Sequence, residues 1–244
     1  MKKKFTKAFM GICALGTSAV AFAQNAAAPV EESFHQALKV KFIEGSADFM
    51  SLIMIPMIIG LAFVLERIIY LNLADTNTDK LLKGIEAALD KNDVEAAKAI
   101  ARDTRGPVAS ICYQGLMRID QGIDVVEKSI ISYGGVQSGL LEKNLSWITL
   151  FIAIIPSIGF LGTVVGMILS FDEIEIAGDI SPTVVAGGMK VALITTVAAL
   201  IAAIILQIFY NYLLSKLEAI LNKMEDSSIV LLDSIIKYNV KHKN

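Results

Sequence analysis

Residues 191–215, VALITTVAALIAAIILQIFYNYLLS, contain no Asp, Glu, Lys or Arg. A helix needs roughly 20 apolar residues to cross a bilayer, and this run is long enough. Two more charge-free runs precede it, residues 49–65 and 145–171, the first of them only just sufficient. In hydrocarbon a backbone must satisfy its own N–H and C=O groups, so each run specifies a helix. Composition agrees: 55% of the 244 residues are hydrophobic and the mean hydropathy is +0.60, with the excess gathered in blocks. No stretch alternates with period two. The expected fold class is therefore all-α. It is a polytopic membrane protein with three transmembrane helices, two of them extended into a cytoplasmic helical bundle.

Charge orients these spans. Ten Lys or Arg lie between residues 66 and 144, and five more follow from Lys216. The segment between the second and third spans holds Asp172, Glu173, Glu175 and Asp179 and no basic residue. Basic segments stay on the cytoplasmic side, so the first span runs inward, the second outward and the third inward. The N-terminus agrees. Lys2, Lys3, Lys4 and Lys7 precede the apolar stretch 8–22, which ends Ala21-Phe22-Ala23. That pattern is a secretory signal peptide cleaved after Ala23; an uncleaved anchor is the alternative. The expected organisation has eight parts. They are a signal peptide (1–23), a periplasmic N-terminal segment (24–48), a first span (49–72) and a cytoplasmic helical domain (73–144). A second span (145–171), a periplasmic loop (172–183), a third span (184–215) and a cytoplasmic C-terminal helix (216–244) follow. Within 24–48, Phe34, Leu38 and Phe42 recur every four residues, the mark of a short amphipathic helix able to lie at the membrane interface.

The soluble segments read as short helices. Thr78 caps one holding Leu81, Leu82, Ile85 and Leu89, and Asn92 caps the next. Gly106-Pro107 breaks the chain and restarts it at the proline. Gly122 punctuates before a helix that runs on into the second span. After Gly188 there is neither Gly nor Pro, and an apolar seam continues through Leu217, Leu221, Met224, Leu231 and Ile235. The third helix should therefore project far beyond the membrane, as the surface of an oligomer or bundle.

Several function classes fall away. A net charge of −2 offers no basic field for nucleic acid. Cys13 and Cys112 predict no disulfide, and His35 and His242 stand apart from each other and from any Cys, so no metal or other cofactor is expected. No constellation points to an enzyme. Small residues crowd the later spans: Gly159, Gly162 and Gly166 in the second, Gly187 and Gly188 at the head of the third. These read as helix-packing positions. Thr163 and Thr196 are open between two roles, back-bonding to their own helices or lining a water-filled passage. Ionisable residues are confined to boundaries. Glu66 and Arg67 close the first span within reach of headgroups, and Lys190 opens the third, where its ammonium can snorkel. A proton path needs a titratable relay, and no span has a central carboxylate.

Residues 155–168, Ile-Pro-Ser-Ile-Gly-Phe-Leu-Gly-Thr-Val-Val-Gly-Met-Ile, resemble the signature of the ExbB/TolQ/MotA channel proteins. Gly188-Met189-Lys190-Val191-Ala192-Leu193-Ile194-Thr195-Thr196 is similar to that family's "GIxxALxTT". Tyr210-Asn211 matches its "YN", with Asn211 at the membrane boundary, and Glu66-Arg67 its "ER". Lys190 and Val191 stand where some members carry a Glu, so no glutamate role transfers. The resemblance implies a homo-oligomer, usually a pentamer, around an ExbD- or TolR-like single-span partner whose intramembrane Asp carries the proton. It also implies a TonB-like protein as a further partner and an inner-membrane site among lipids. Thr163 and Thr196 then match the pore threonines of the proton pathway. The implied function is ExbB-like energising of TonB-dependent transport. TolQ-like service, a gliding or secretion motor, and a non-conducting scaffold are the alternatives.

Overall fold

The computed structural model describes residues 34–178 and 182–242; the signal peptide read at 1–23 and Asp179 lie outside them. All regular structure among the described residues is helical, and three helices are long and apolar enough to cross a membrane. A short helix α1 (Phe34–Glu44) comes first. Helix α2 (Ala47–Ala74) buries Met50, Ile53, Pro56, Gly60, Val64 and Leu71, one residue per turn. Its opposite face presents Leu52, Ile55, Ile58 and Ile59 outward. A helix apolar on both faces suits lipid on one side and protein on the other. Pro56 removes one backbone bond from α2, a loss that membrane helices tolerate.

Helices α3 (Thr78–Asp90), α4 (Val94–Asp103) and α5 (Pro107–Leu116) follow. Two of their caps correct the sequence reading by one residue. Asn77, not Thr78, accepts from the Lys80 N–H at 3.1 Å. Asp93, not Asn92, accepts from the Ala96 N–H at 2.9 Å. The physical reason is the same turn: Asn92 takes the left-handed backbone (φ 59°) that asparagine tolerates, leaving the carboxylate to meet the helix N-terminus. Pro107 does restart the chain, after Gly106 at φ 112°, where a Cβ would come within 2.8 Å of Thr76 Oγ1.

Helix α6 (Ile123–Glu142) does not run into the second span as expected. Lys143 turns extended (ψ 140°) and Asn144 left-handed (φ 67°), so a sharp elbow separates α6 from α7 (Leu145–Ala177). Here too asparagine supplies a conformation that the pattern of apolar residues does not announce. At its other end α7 exceeds the expected 145–171. Asp172, Glu173 and Glu175, read as loop, form its last turns before Gly178 closes it at φ 69° by bonding the Ile174 carbonyl at 3.0 Å. Charge removes these residues from hydrocarbon, not from a helix.

Helix α8 (Pro182–His242) is continuous for 61 residues, about 90 Å at 1.5 Å per residue. That is about three times the roughly 30 Å thickness of bilayer hydrocarbon. Its first half packs on α2 and α7, its second on α3, α5 and α6. In the second half Leu217, Ile220, Met224, Leu231 and Ile235 join Leu81, Ile85, Ile111, Leu116 and Ile130 in one core. Exposed pairs run alongside: Lys223 with Asp75 at 2.6 Å and Lys237 with Glu86 at 3.1 Å. Pairs of this kind fix register more than they add stability.

Candidate functional site

The densest helix contact is the seam between α7 and α8, and glycine makes it possible. Gly159, Gly162 and Gly166 sit on the face of α7 that meets Ala199, Thr195, Ala192 and Gly188 of α8. A Cβ on Gly162 would lie 2.9 Å from Thr195 Oγ1, and one on Gly166 would lie 3.1 Å from the Ala192 Cβ. A Cβ on Gly159 would collide with the methyl of Ala199, and one on Gly188 with Ser170. These backbones approach so closely because nothing stands between them. Gly187 is the exception. One residue before Gly188, it turns off this face and meets no atom of its own chain within 4 Å.

This approach brings side-chain hydroxyls to backbone carbonyls across the seam. Thr163 Oγ1 and Thr196 Oγ1 hydrogen-bond each other. Thr163 reaches the Gly159 and Ala192 carbonyls at 3.2 Å each, and Thr196 the same two at 3.1 and 3.2 Å. Two hydroxyls therefore share two carbonyls, one from each helix. Each hydroxyl has a single proton to donate. If one donates to its partner, the partner donates to one carbonyl, and a rotation of both reverses the direction. Both threonines are half-buried, so the pair lies at the edge of the seam. Each threonine back-bonds to its own helix and also meets a carbonyl of the facing one. Chemically the pair offers lone pairs and a reversible donor, but no group that titrates near neutral pH.

Two further hydroxyls lie fully inside. Thr195 is buried and donates to the Ala192 carbonyl at 2.9 Å. Ser170, also buried, donates to the Gly166 carbonyl at 3.1 Å. Sequence reasoning did not single out Ser170. The signal was present, since it stands four residues after Gly166 on the face of the glycines.

Boundary residues are more engaged than free headgroup ligands would be. Lys190 Nζ meets Glu44 Oε1 at 2.7 Å instead of standing alone. Asn211 accepts from Gln207 Nε2 at 3.3 Å and is exposed. Arg67 departs most from expectation. It is 3% exposed, turned inward rather than toward headgroups, because Glu66 pairs with it and the Tyr70 ring lies 4.5 Å beneath it. One turn away Phe63, Trp147 and Phe151 stack with centroids 6.2–6.5 Å apart. Such aromatics collect where hydrocarbon meets water. Trp147 is the only tryptophan, yet sequence reasoning passed over it.

Residues 104–226, which take in α5, α6, α7 and most of α8, match the model of the MotA/TolQ/ExbB proton channel family. The chain belongs to that family. A biopolymer transport protein ExbB homolog from Methanothermobacter thermautotrophicus is 28% identical over 170 residues. The match covers 69% of this chain and 60% of that relative, so the chain spans about 60% of the length of the protein it matches. The family is one of channels and transport proteins, and the matched span includes both members of the threonine pair and the whole glycine seam.

Proposed function

We propose that this protein is the ExbB-like channel-forming subunit of a proton-motive-force-driven motor in the bacterial inner membrane. The single observation that carries the reading is the Thr163–Thr196 pair, set at the edge of a glycine seam between two charge-free spans. The pair supplies hydroxyls where a proton path needs polarity, and the spans supply no carboxylate. The relay must then come from a second chain. An ExbD- or TolR-like helix with one intramembrane Asp would complete the site inside a ring of five copies of this chain. In that ring α2 runs inward, α7 outward and α8 inward, with the helices 78–142 and the far half of α8 in the cytoplasm. The work delivered would energise TonB-dependent transport across the outer membrane.

Proton flux decides the reading. The purified chain in liposomes that hold a pH-sensitive dye should conduct poorly alone and conduct when the Asp-bearing single-span partner is co-reconstituted. Thr163→Val and Thr196→Val keep the side-chain shape and remove the hydroxyl, so the ring should assemble and the flux should fall. Strong flux without any partner would place the relay elsewhere. Full flux in the double valine variant would return both threonines to packing.

A further inference from the structure

The elbow at Lys143–Asn144 raises a question of geometry. It joins the second span to a helix outside it, and its angle sets how one is aimed against the other. A helix leaves its last four carbonyls without partners, and α6 ends at Glu142. One of these carbonyls, that of Leu140, receives Nη1 of Arg67 at 3.5 Å from a residue 73 positions away. Arg67 also donates Nε and Nη2 to Glu66, and the same Glu66 carboxylate accepts from Asn144 Nδ2 at 3.4 Å. The end of α2 thus holds both sides of the elbow at once, the last turn of α6 through arginine and the left-handed residue through glutamate. A guanidinium suits this task because its planar fork serves several acceptors in fixed directions. A groove of about 540 Å³ lies between α6 and α8, and Gly134, Gly135 and Ser138 line it on the α6 side.

We infer that Arg67, with Glu66, is a positioning residue: it caps α6 in trans, fixes the elbow at Lys143–Asn144, and so holds the second span with Thr163 in a set direction relative to α6. Its bearing on flux rests on the function proposed above; its hold on the elbow does not. The full chain in nanodiscs tests both by amide hydrogen exchange and by proton flux with the partner present. Arg67→Gln should speed exchange of amides 139–145 about tenfold while leaving 159–166 unchanged, because a charged cap is lost and the seam is not. Arg67→Lys, which keeps the charge as a single point donor, should recover part of the protection. Asn144→Gly keeps the left-handed turn but loses the bond to Glu66, so it should speed exchange less than Asn144→Ala, which loses that bond and also penalises the turn. Flux should fall in Arg67→Gln with assembly intact. Unchanged exchange at 139–145, or an equal rise at 159–166, would overturn the cap. Full flux despite faster exchange would overturn the positioning role. Absent flux in the wild-type complex would count against the proposed function alone, since the exchange rates still decide the elbow.

Discussion

Helix α8 is gripped in two different ways along its length. Over residues 188–199 its neighbour is α7, and the contact is made of glycine, alanine and hydroxyls at near-backbone distance. Over residues 217–235 its neighbours are α3, α5 and α6, and the contact is made of buried leucine, isoleucine and methionine. The solvent explains the difference. In water, burying a large apolar side chain is favourable by about 1.5–3 kcal/mol, so the outer half recruits bulk. Lipid is as apolar as leucine and gives no such gain, so the inner half gains from close approach and interhelical hydrogen bonds instead. One continuous helix follows both rules within about 90 Å.

Substitutions that exchange the two rules should have unequal effects. The largest belongs to the bundle. Ile111→Ala removes a 2%-exposed side chain from the core against α8 and should cost about 2–5 kcal/mol. Denaturant unfolding followed by proteolysis should show residues 78–142 opening first while the α7–α8 seam stays protected. Loss of both together would mean that the two grips are one cooperative unit. The middle effect belongs to the seam. Gly159→Leu forces a side chain against Ala199 and should cost about 1–3 kcal/mol, read as a lowered thermal midpoint of the purified chain in mild detergent. A tolerated leucine would show that the helices can separate without loss.

How much of this contrast was legible in the sequence follows from the same physics. Charge-free runs marked all three spans, because hydrocarbon excludes Asp, Glu, Lys and Arg over a fixed length. Thr163 and Thr196 were singled out, and the fold brings them together. Conformations that depend on one asparagine were not legible. Asn92 and Asn144 each take a left-handed turn, and composition cannot tell such an asparagine from a cap or from a helical residue. The inward turn of Arg67 is hidden in the sequence for a related reason. A basic residue at a span end normally faces headgroups, and its inward turn depends on Leu140 and Asn144, more than 70 residues away. Asp172 to Glu175 read as loop because charge marks the edge of the membrane and not the end of the helix.

The last effect is one of pH and is confined to alkaline conditions. Cys112 lies in the bundle core, fully buried, and burial raises its thiol from near 9 to about 12. A group whose folded value is raised contributes stability that is complete below its unfolded value and is lost as pH rises through the folded one. The bundle should therefore lose stability between about pH 9 and pH 12, and Cys112→Ala should flatten that slope. At pH 8 a maleimide should leave Cys112 unmodified until residues 78–142 unfold. Fast labelling of the folded chain would mean that the bundle opens far more readily than its packing implies.

The unbroken run of α8 also has a mechanical meaning. A rod of this length is a lever: a tilt of about 1° at one end displaces the other by roughly 1.6 Å, which is comparable to the rise of one residue. A helix interrupted by a loop would absorb such a tilt at the break. This one has neither glycine nor proline after Gly188 to bend at, so a small angular change beside the threonine pair must reappear as a translation at residues 231–242.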